Sequence, residues 1–171
     1  MWTMEKLIKL TPLAIKIRDL KLLGKKVGLI TGCFDVLHAG HVELFRFAKK
    51  HADILVVGLE NDETIRLSKG PDRPIHNFSQ RSLVLSELSS VDYIFEIPIT
   101  VKFGQSEDIR EQYVEMTMKI KPDYLFTTKT ADIYQKQKEA GAYEIGAKLM
   151  VFSGNHQTST SRIAEKILKE L

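Results

Sequence analysis

Residues 27–59 read VGLITGCFDVLHAGHVELFRFAKKHADILVVGL. Val27–Thr31 is a short β-like run that Gly32 interrupts, and Gly40–Lys50 then repeats apolar residues (Val42, Leu44, Phe45, Phe47, Ala48) with helical spacing. Ile54–Leu59 is a continuous apolar run with β-branched members, the pattern of a strand covered on both faces. Strand, loop, helix and strand in that order make one parallel unit. The same alternation continues: strand-like runs at Tyr93–Ile97, Tyr124–Thr127 and Lys148–Phe152 sit among helical stretches near Asp62–Leu67, Ser79–Leu88, Ser106–Ile120, Ile133–Ala140 and Thr160–Leu171. Ahead of the first strand, Thr11-Pro12 with Leu13, Ile17, Leu20 and Gly24 predicts an amphipathic helix with Thr11 as its cap and Gly24 as its end. The expected fold is α/β: one domain spanning residues 1–171, an N-terminal helix (1–24) before a Rossmann-like core (27–171), with a doubly wound, parallel, five-stranded sheet.

Composition agrees with one soluble domain. The chain has 171 residues, 43% apolar and 27% charged, which excludes a disordered tail and a disulfide scaffold. The sole cysteine, Cys33, has no partner within the chain, as in a reducing compartment, and lysines break every apolar stretch before Gly28, so no signal-peptide core is present. A cytoplasmic location is expected, with no membrane partner. Net charge is +3, and residues 1–26 alone carry +5. No aromatics interleave those cations, so they read as a solvated helix face, and no nucleic-acid partner is expected.

In a sheet of this kind ligands bind beyond the carboxyl ends of the strands, near the reversal of strand order. The first loop there, Thr31-Gly32-Cys33-Phe34-Asp35-Val36-Leu37-His38-Ala39-Gly40-His41, lacks the two-glycine spacing of a dinucleotide fingerprint, and the chain has no Gly-Lys-Ser/Thr phosphate loop. It holds instead two histidines three apart, His38 and His41, at a helix start. Both rings can project from one side of the first turn, beside unbonded N–H groups and the positive helix end, a site for phosphate oxygens. Gly32 and Gly40 permit close backbone approach. Zinc ligation by His38, His41 and Cys33 competes with that reading but lacks a fourth ligand. After the last strand, Thr158-Ser159-Thr160-Ser161 opens another helix and offers hydroxyls for a second phosphate cradle. Two cradles on one sheet edge suit a triphosphate. Lys69-Gly70-Pro71-Asp72-Arg73-Pro74, with Gln80-Arg81 beyond it, adds cations to the same edge.

Gly32–His41 resembles the signature of the cytidylyltransferase-like nucleotidylyltransferases, and Ser159-Thr160-Ser161-Arg162-Ile163 resembles their second signature. With Lys69-Gly70, Arg73-Pro74, Gln80–Leu85 and Val91-Asp92-Tyr93, the chain is most similar to heptose 1-phosphate adenylyltransferases of lipopolysaccharide-precursor synthesis. The sequence departs from that family at Thr127–Thr130 and Asn155–Thr158, where the family reads the base, and in a longer Thr100–Lys121 segment. The resemblance implies transfer of a nucleoside monophosphate from ATP or CTP to a phosphorylated sugar or polyol. A glycerol 3-phosphate-type cytidylyltransferase, an FMN adenylyltransferase and a nucleotide-sensing module remain alternatives. It further implies that His38, His41 and Lys69 act on the reacting phosphates. Thr31, Gly32, Cys33, Phe34, Gly40, His41, Ser159, Thr160 and Ser161 would bind the nucleotide, and Asp35, Lys69, Arg73 and Arg81 the acceptor side. Asp35 is expected to pin its loop through backbone N–H groups. Mg²⁺ is implied with the triphosphate, held by phosphate oxygens and water with no protein metal site. A homodimer is implied as well.

Overall fold

The computed structural model describes residues 5–102, 108–129, 135–154, 163, 166 and 167. Helix α1 (Leu10–Leu22) leads into β1 (Val27–Gly32), followed by α2 (Ala39–Lys49) and β2 (Ile54–Leu59). Next come α3 (Asp62–Lys69), α4 (Phe78–Ser86), β3 (Tyr93–Glu96), α5 (Asp108–Ile120), β4 (Tyr124–Thr128), α6 (Gln135–Glu144) and β5 (Lys148–Phe152). All neighbouring strands run parallel in the order β3-β2-β1-β4-β5. The chain winds outward from β1 to β3, then returns to the other side of β1 for β4, so strand order reverses between β1 and β4.

Each sheet face buries its own set of side chains, because alternate residues of a strand point to opposite faces. One face packs Ile30, Leu55, Val57, Ile94 and Phe126 against Leu44, Phe45 and Ala48 of α2 and Leu85 of α4. The other packs Leu29, Val56 and Phe95 against Leu13 and Ile17 of α1 and Met116 and Ile120 of α5. Aspartates stitch the amino ends of the strands. Asp53 accepts from Lys26 N–H, Asp92 from Leu55 N–H and Asp123 from Val27 N–H, at 2.7–2.8 Å. The two Asp-Tyr dipeptides therefore do the same job, each bonding the first residues of a neighbouring strand.

The first helix starts earlier than its cap signal implied. Lys9 is the N-cap, without a side-chain cap bond, and its carbonyl accepts from Leu13 N–H at 3.0 Å. Thr11 and Pro12 lie inside the first turn, where a missing N–H costs nothing. Gly24 ends the helix as expected, at φ +79°, with Lys25 N–H reaching back to Leu20 O and Gly24 N–H to Lys21 O. Helix α4 begins at Phe78, because Asn77 and Gln80 exchange side-chain-to-backbone bonds at 3.0 Å in a capping box. Most of the expected helix at Thr160–Leu171 lies outside the described residues.

Candidate functional site

The carboxyl end of β1 delivers the signature loop to the reversal point of the sheet. His38 is the N-cap of α2, in extended conformation, and His41 is its third residue. Their rings stack with centroids 3.8 Å apart and planes 25° from parallel. His41 Nδ1 accepts from the His38 backbone N–H at 3.4 Å, which leaves the proton of a neutral His41 ring on Nε2. Phe34 sets the other side of this ring, edge-on at 5.2 Å. Phe34 itself sits at φ +46°, an uncommon conformation for a residue with a side chain, and its ring is buried against Phe45 and Gly32. A Cβ at Gly32 would come within 3.1 Å of that ring. The loop is therefore shaped by packing, and it brings Gly40, His38, His41 and the first N–H groups of α2 together as the spacing predicted.

The residues expected on the acceptor side divide into three kinds. Lys69 ends α3 and is exposed, and its charge acts on the Cys33 thiol of the signature loop. Burial pushes the Cys33 thiol above its usual range, with Lys69 opposing the shift. Asp35 and Arg73 bind each other. Asp35, 3% exposed, accepts from His76 N–H at 3.0 Å through Oδ1, and its Oδ2 lies 2.7 Å from Arg73 Nη1. His76 Nδ1 completes the clamp at 3.0 Å from the Asp35 carbonyl. This pins residues 73–76 onto the signature loop.

Arg81 is the correction. It is 1% exposed, and the structure places it beneath the site instead of on its acceptor side. Its guanidinium donates to the carbonyls of Cys33 (2.6 Å), Glu60 (2.8 Å) and His76 (3.0 Å) and to Asp62 Oδ1 (2.7 Å). A guanidinium offers five donors in a planar fork, so one side chain can tie three loops together.

Glu60 belongs to the site and was not anticipated. Its N–H donates to Gly32 O at 3.0 Å, and its carboxylate, 3% exposed, accepts from Tyr113 of α5 at 2.7 and 2.9 Å. Burial pushes its carboxyl up to about 7, against the bond from Tyr113 and the charges of Lys138, Arg81 and Lys69. No local pattern marks it, because its side-chain partner Tyr113 lies 53 residues further along the chain. Ser159, Thr160 and Ser161, with Asn155–Thr158, lie outside the described residues, and so does Thr130.

No group of three His, Cys, Asp or Glu among the described residues could hold a metal ion. A depression of about 490 Å³ opens at the amino ends of β4 and β5 and is lined by Lys21, Met118, Asp123 and Gly146, none of them a candidate residue. No described helix is long and apolar enough to cross a membrane.

A family model described as Cytidylyltransferase-like matches residues 29–166, from the middle of β1 past β5. The chain belongs to the cytidylyltransferase-like family. It is a nucleotidyltransferase domain, as the resemblance of Gly32–His41 to that family's signature implied. Among curated proteins it is 36% identical over 163 residues to the bifunctional protein HldE of Helicobacter hepaticus, covering 95% of this chain and 30% of that one. To HldE of Haemophilus influenzae it is 34% identical over 147 residues, covering 84% and 28%. The chain thus spans under a third of the length of these relatives. Among solved structures, the lipopolysaccharide core biosynthesis protein of Thermoplasma volcanium aligns with a TM-score of 0.57 at 26% identity, over 78% of this chain and all of that one. A pantoate-beta-alanine ligase of Francisella tularensis aligns with a TM-score of 0.65 at 16% identity, over 95% and 77%, and shares the fold.

Proposed function

We propose that the domain joins ATP or CTP to a phosphorylated sugar or polyol, with heptose 1-phosphate and ATP as the preferred pair, releasing pyrophosphate. The observation that carries this reading is the stacked His38–His41 pair at the start of α2, beside the strand reversal. A phosphate monoester is largely dianionic at neutral pH, since its second pKa is about 6. Its oxygen can attack the α-phosphorus without a general base. The new P–O bond forms as the bond to the bridging α–β oxygen breaks, and pyrophosphate leaves with that electron pair.

The protein's part is alignment and charge. His41 Nε2–H and the free N–H groups of Ala39 and Gly40 would donate to α- and β-phosphate oxygens as charge builds there, with His38 beside them. Lys69, mobile and exposed, would bridge the α-phosphate and the acceptor phosphate. Ser159, Thr160 and Ser161 would hold the distal phosphates. Asp35 and Arg73 would act on the acceptor by fixing the 73–76 loop. Mg²⁺ would supply further charge neutralisation when bound. The rim carboxylates do not fit a protein-held ion, since Asp35, Asp62 and Glu60 are taken up by Arg73, Arg81 and Tyr113. It would enter together with the triphosphate. A homodimer and a cytoplasmic location complete the reading; sedimentation velocity tests the first.

The test is pyrophosphate release with Mg²⁺ for ATP and CTP, each against heptose 1-phosphate, glycerol 3-phosphate and FMN. Turnover is expected with ATP and heptose 1-phosphate, and His41→Ala should lower it about 10²–10³-fold. The histidine also helps cap α2, a loss of only about 1 kcal/mol in stability, so the variant should remain folded. Turnover unchanged in His41→Ala would remove the histidine from the mechanism. Silence across the panel from a folded protein would overturn the acceptor class.

A further inference from the structure

The buried Glu60–Tyr113 pair takes no part in the reaction just described, yet it touches the loop that does. The strand alternation puts residue 60 on the same face as Ile54 and Val56, the face that α5 covers. The Glu60 backbone is bonded to Gly32, the last residue of β1, so its carboxylate lies directly behind the start of the signature loop. Charged and titratable groups meet it from every side. Tyr113 bonds it from α5, Arg81 of α4 bonds its backbone carbonyl, and the charges of Lys138 on α6 and Lys69 at the end of α3 favour its ionised form, while the Cys33 thiol feels both Glu60 and Lys69. Arg81 gives Glu60 only its backbone bond, because its fork is spent on three carbonyls and Asp62. Among the described residues the one hydrogen-bond donor to the carboxylate is therefore a neutral phenol, and the charge of Lys69 is shared between Glu60 and the rim.

Burying a carboxylate with a single neutral donor is expensive, and a structural tie alone would be served as well by an amide. The distinguishing property of a carboxylate there is its charge. A negative charge behind the loop offsets the cations that face the ligand, and its protonation returns those cations to the ligand. Burial has already moved this carboxyl into the neutral range, to about 7.

We propose that Glu60, clasped by Tyr113, is a charge-setting positioning residue of the phosphate cradle: ionised, it holds back anion binding through Lys69, and protonated, it releases that restraint. The inference rests on the phosphate-binding reading above but not on the identity of base or acceptor. It makes the domain's hold on triphosphate a function of pH near neutrality, through a residue that contacts no ligand.

Binding of inorganic tripolyphosphate to the whole chain, measured by titration calorimetry from pH 5.5 to 8.5, tests it in the native protein, in Glu60→Gln and in Tyr113→Phe. The probe's own protonation and that of His38 and His41 are common to all three proteins and cancel in ratios of Kd. At pH 8.5 Glu60→Gln should bind about fivefold more tightly than the native chain, the scale of one unscreened charge across the width of a loop. At pH 5.5 the two should bind equally, with the change centred near 7. Tyr113→Phe removes the donor that favours the ionised form, so its change should centre at higher pH. A ratio of one at every pH, with binding intact, would overturn this proposal alone. A constant offset at every pH would mean a structural effect and would overturn it equally. Absence of binding in all three proteins would overturn the phosphate cradle, and this proposal with it.

Discussion

Replacing Arg81 by lysine separates a structural arginine from an acceptor-binding one. Lysine preserves the charge but has one nitrogen where arginine has three, and it cannot reproduce the planar fork. Of the four partners, Asp62 has a side chain 31% exposed, so water can take over that bond. The carbonyls of Cys33, Glu60 and His76 remain, and an ammonium at the end of an unbranched stem can satisfy one of them well. Two bonds to a charged group are then lost, at about 1.5 kcal/mol each, or ~3 kcal/mol in all. For a domain of this size 1 kcal/mol moves Tm by about 2–4 °C, so Arg81→Lys should melt about 6–12 °C below the native protein. Thermal unfolding followed by circular dichroism reads this directly, and pyrophosphate release well below Tm gives the acceptor KM of the same sample. A Tm within about 2 °C of native, together with an acceptor KM raised tenfold or more, would refute the reasoning and return Arg81 to the acceptor.

Two further expectations concern stability. A Cβ at Gly28 would lie 2.5 Å from Phe126 Cε2 and 3.1 Å from the Ala52 Cβ, both in buried residues, so Gly28→Ala should cost about 1–3 kcal/mol by urea denaturation, and adding Phe126→Leu should recover part of it. Glu60 titrates at about 7 when folded and at its ordinary 4.5 when unfolded. Between those values the native state binds more protons, so this group's contribution to stability declines as pH rises from 4.5 to 7 and is level above that. Glu60→Gln removes the decline. Its Tm should gain on the native Tm from pH 5 to pH 8, by the equivalent of about 3 kcal/mol at most, and a constant difference would show that burial does not govern the group.

The sheet was legible because its strands are short runs of apolar residues closed by glycine or by charge. Ile54–Leu59 and Lys148–Phe152 end where the apolar pattern ends, and Val27–Gly32 exceeds it by one residue. Helix starts were less legible where a side-chain signal competes with the backbone. Thr11 looks like a cap, but the chain has already turned at Lys9, and α4 starts at Phe78, one residue before the expected stretch, because Asn77 and Gln80 exchange bonds. The histidine pair could be read because its geometry is local, three residues on one helix turn. Arg81 and Glu60 could not be placed from sequence, since all their side-chain partners but His76 lie 19–53 positions away. A charge in a sequence reports that a partner is needed and says nothing of whether that partner is solvent, ligand or backbone. The cations of the 69–81 stretch show all the outcomes: Lys69 faces the rim, Arg73 pairs with Asp35, and Arg81 is wholly internal.

That division bears on how a phosphoryl-type transfer is built. The chemistry needs the reacting phosphates held within a fraction of an ångström, and such precision comes from side chains whose own positions are fixed by packing and by further hydrogen bonds. Here the loops that follow β1 and β2 and the stretch entering α4 are bound into one body. Asp35 joins residue 35 to residues 73 and 76, and Arg81 joins residues 33, 60, 62 and 76. Lys69, exposed at the end of α3, stands outside these ties. Across the strand reversal, β4 closes differently: Thr127 is buried, and Lys129 N–H bonds Phe152 O at 3.0 Å, extending the β4–β5 ladder beyond the last strand residue. The departures expected from the family's pattern begin there, at Thr127–Thr130. A change in what is bound on that side of the reversal leaves the Asp35 and Arg81 ties untouched, because every residue they join, from 33 to 81, lies on the other side.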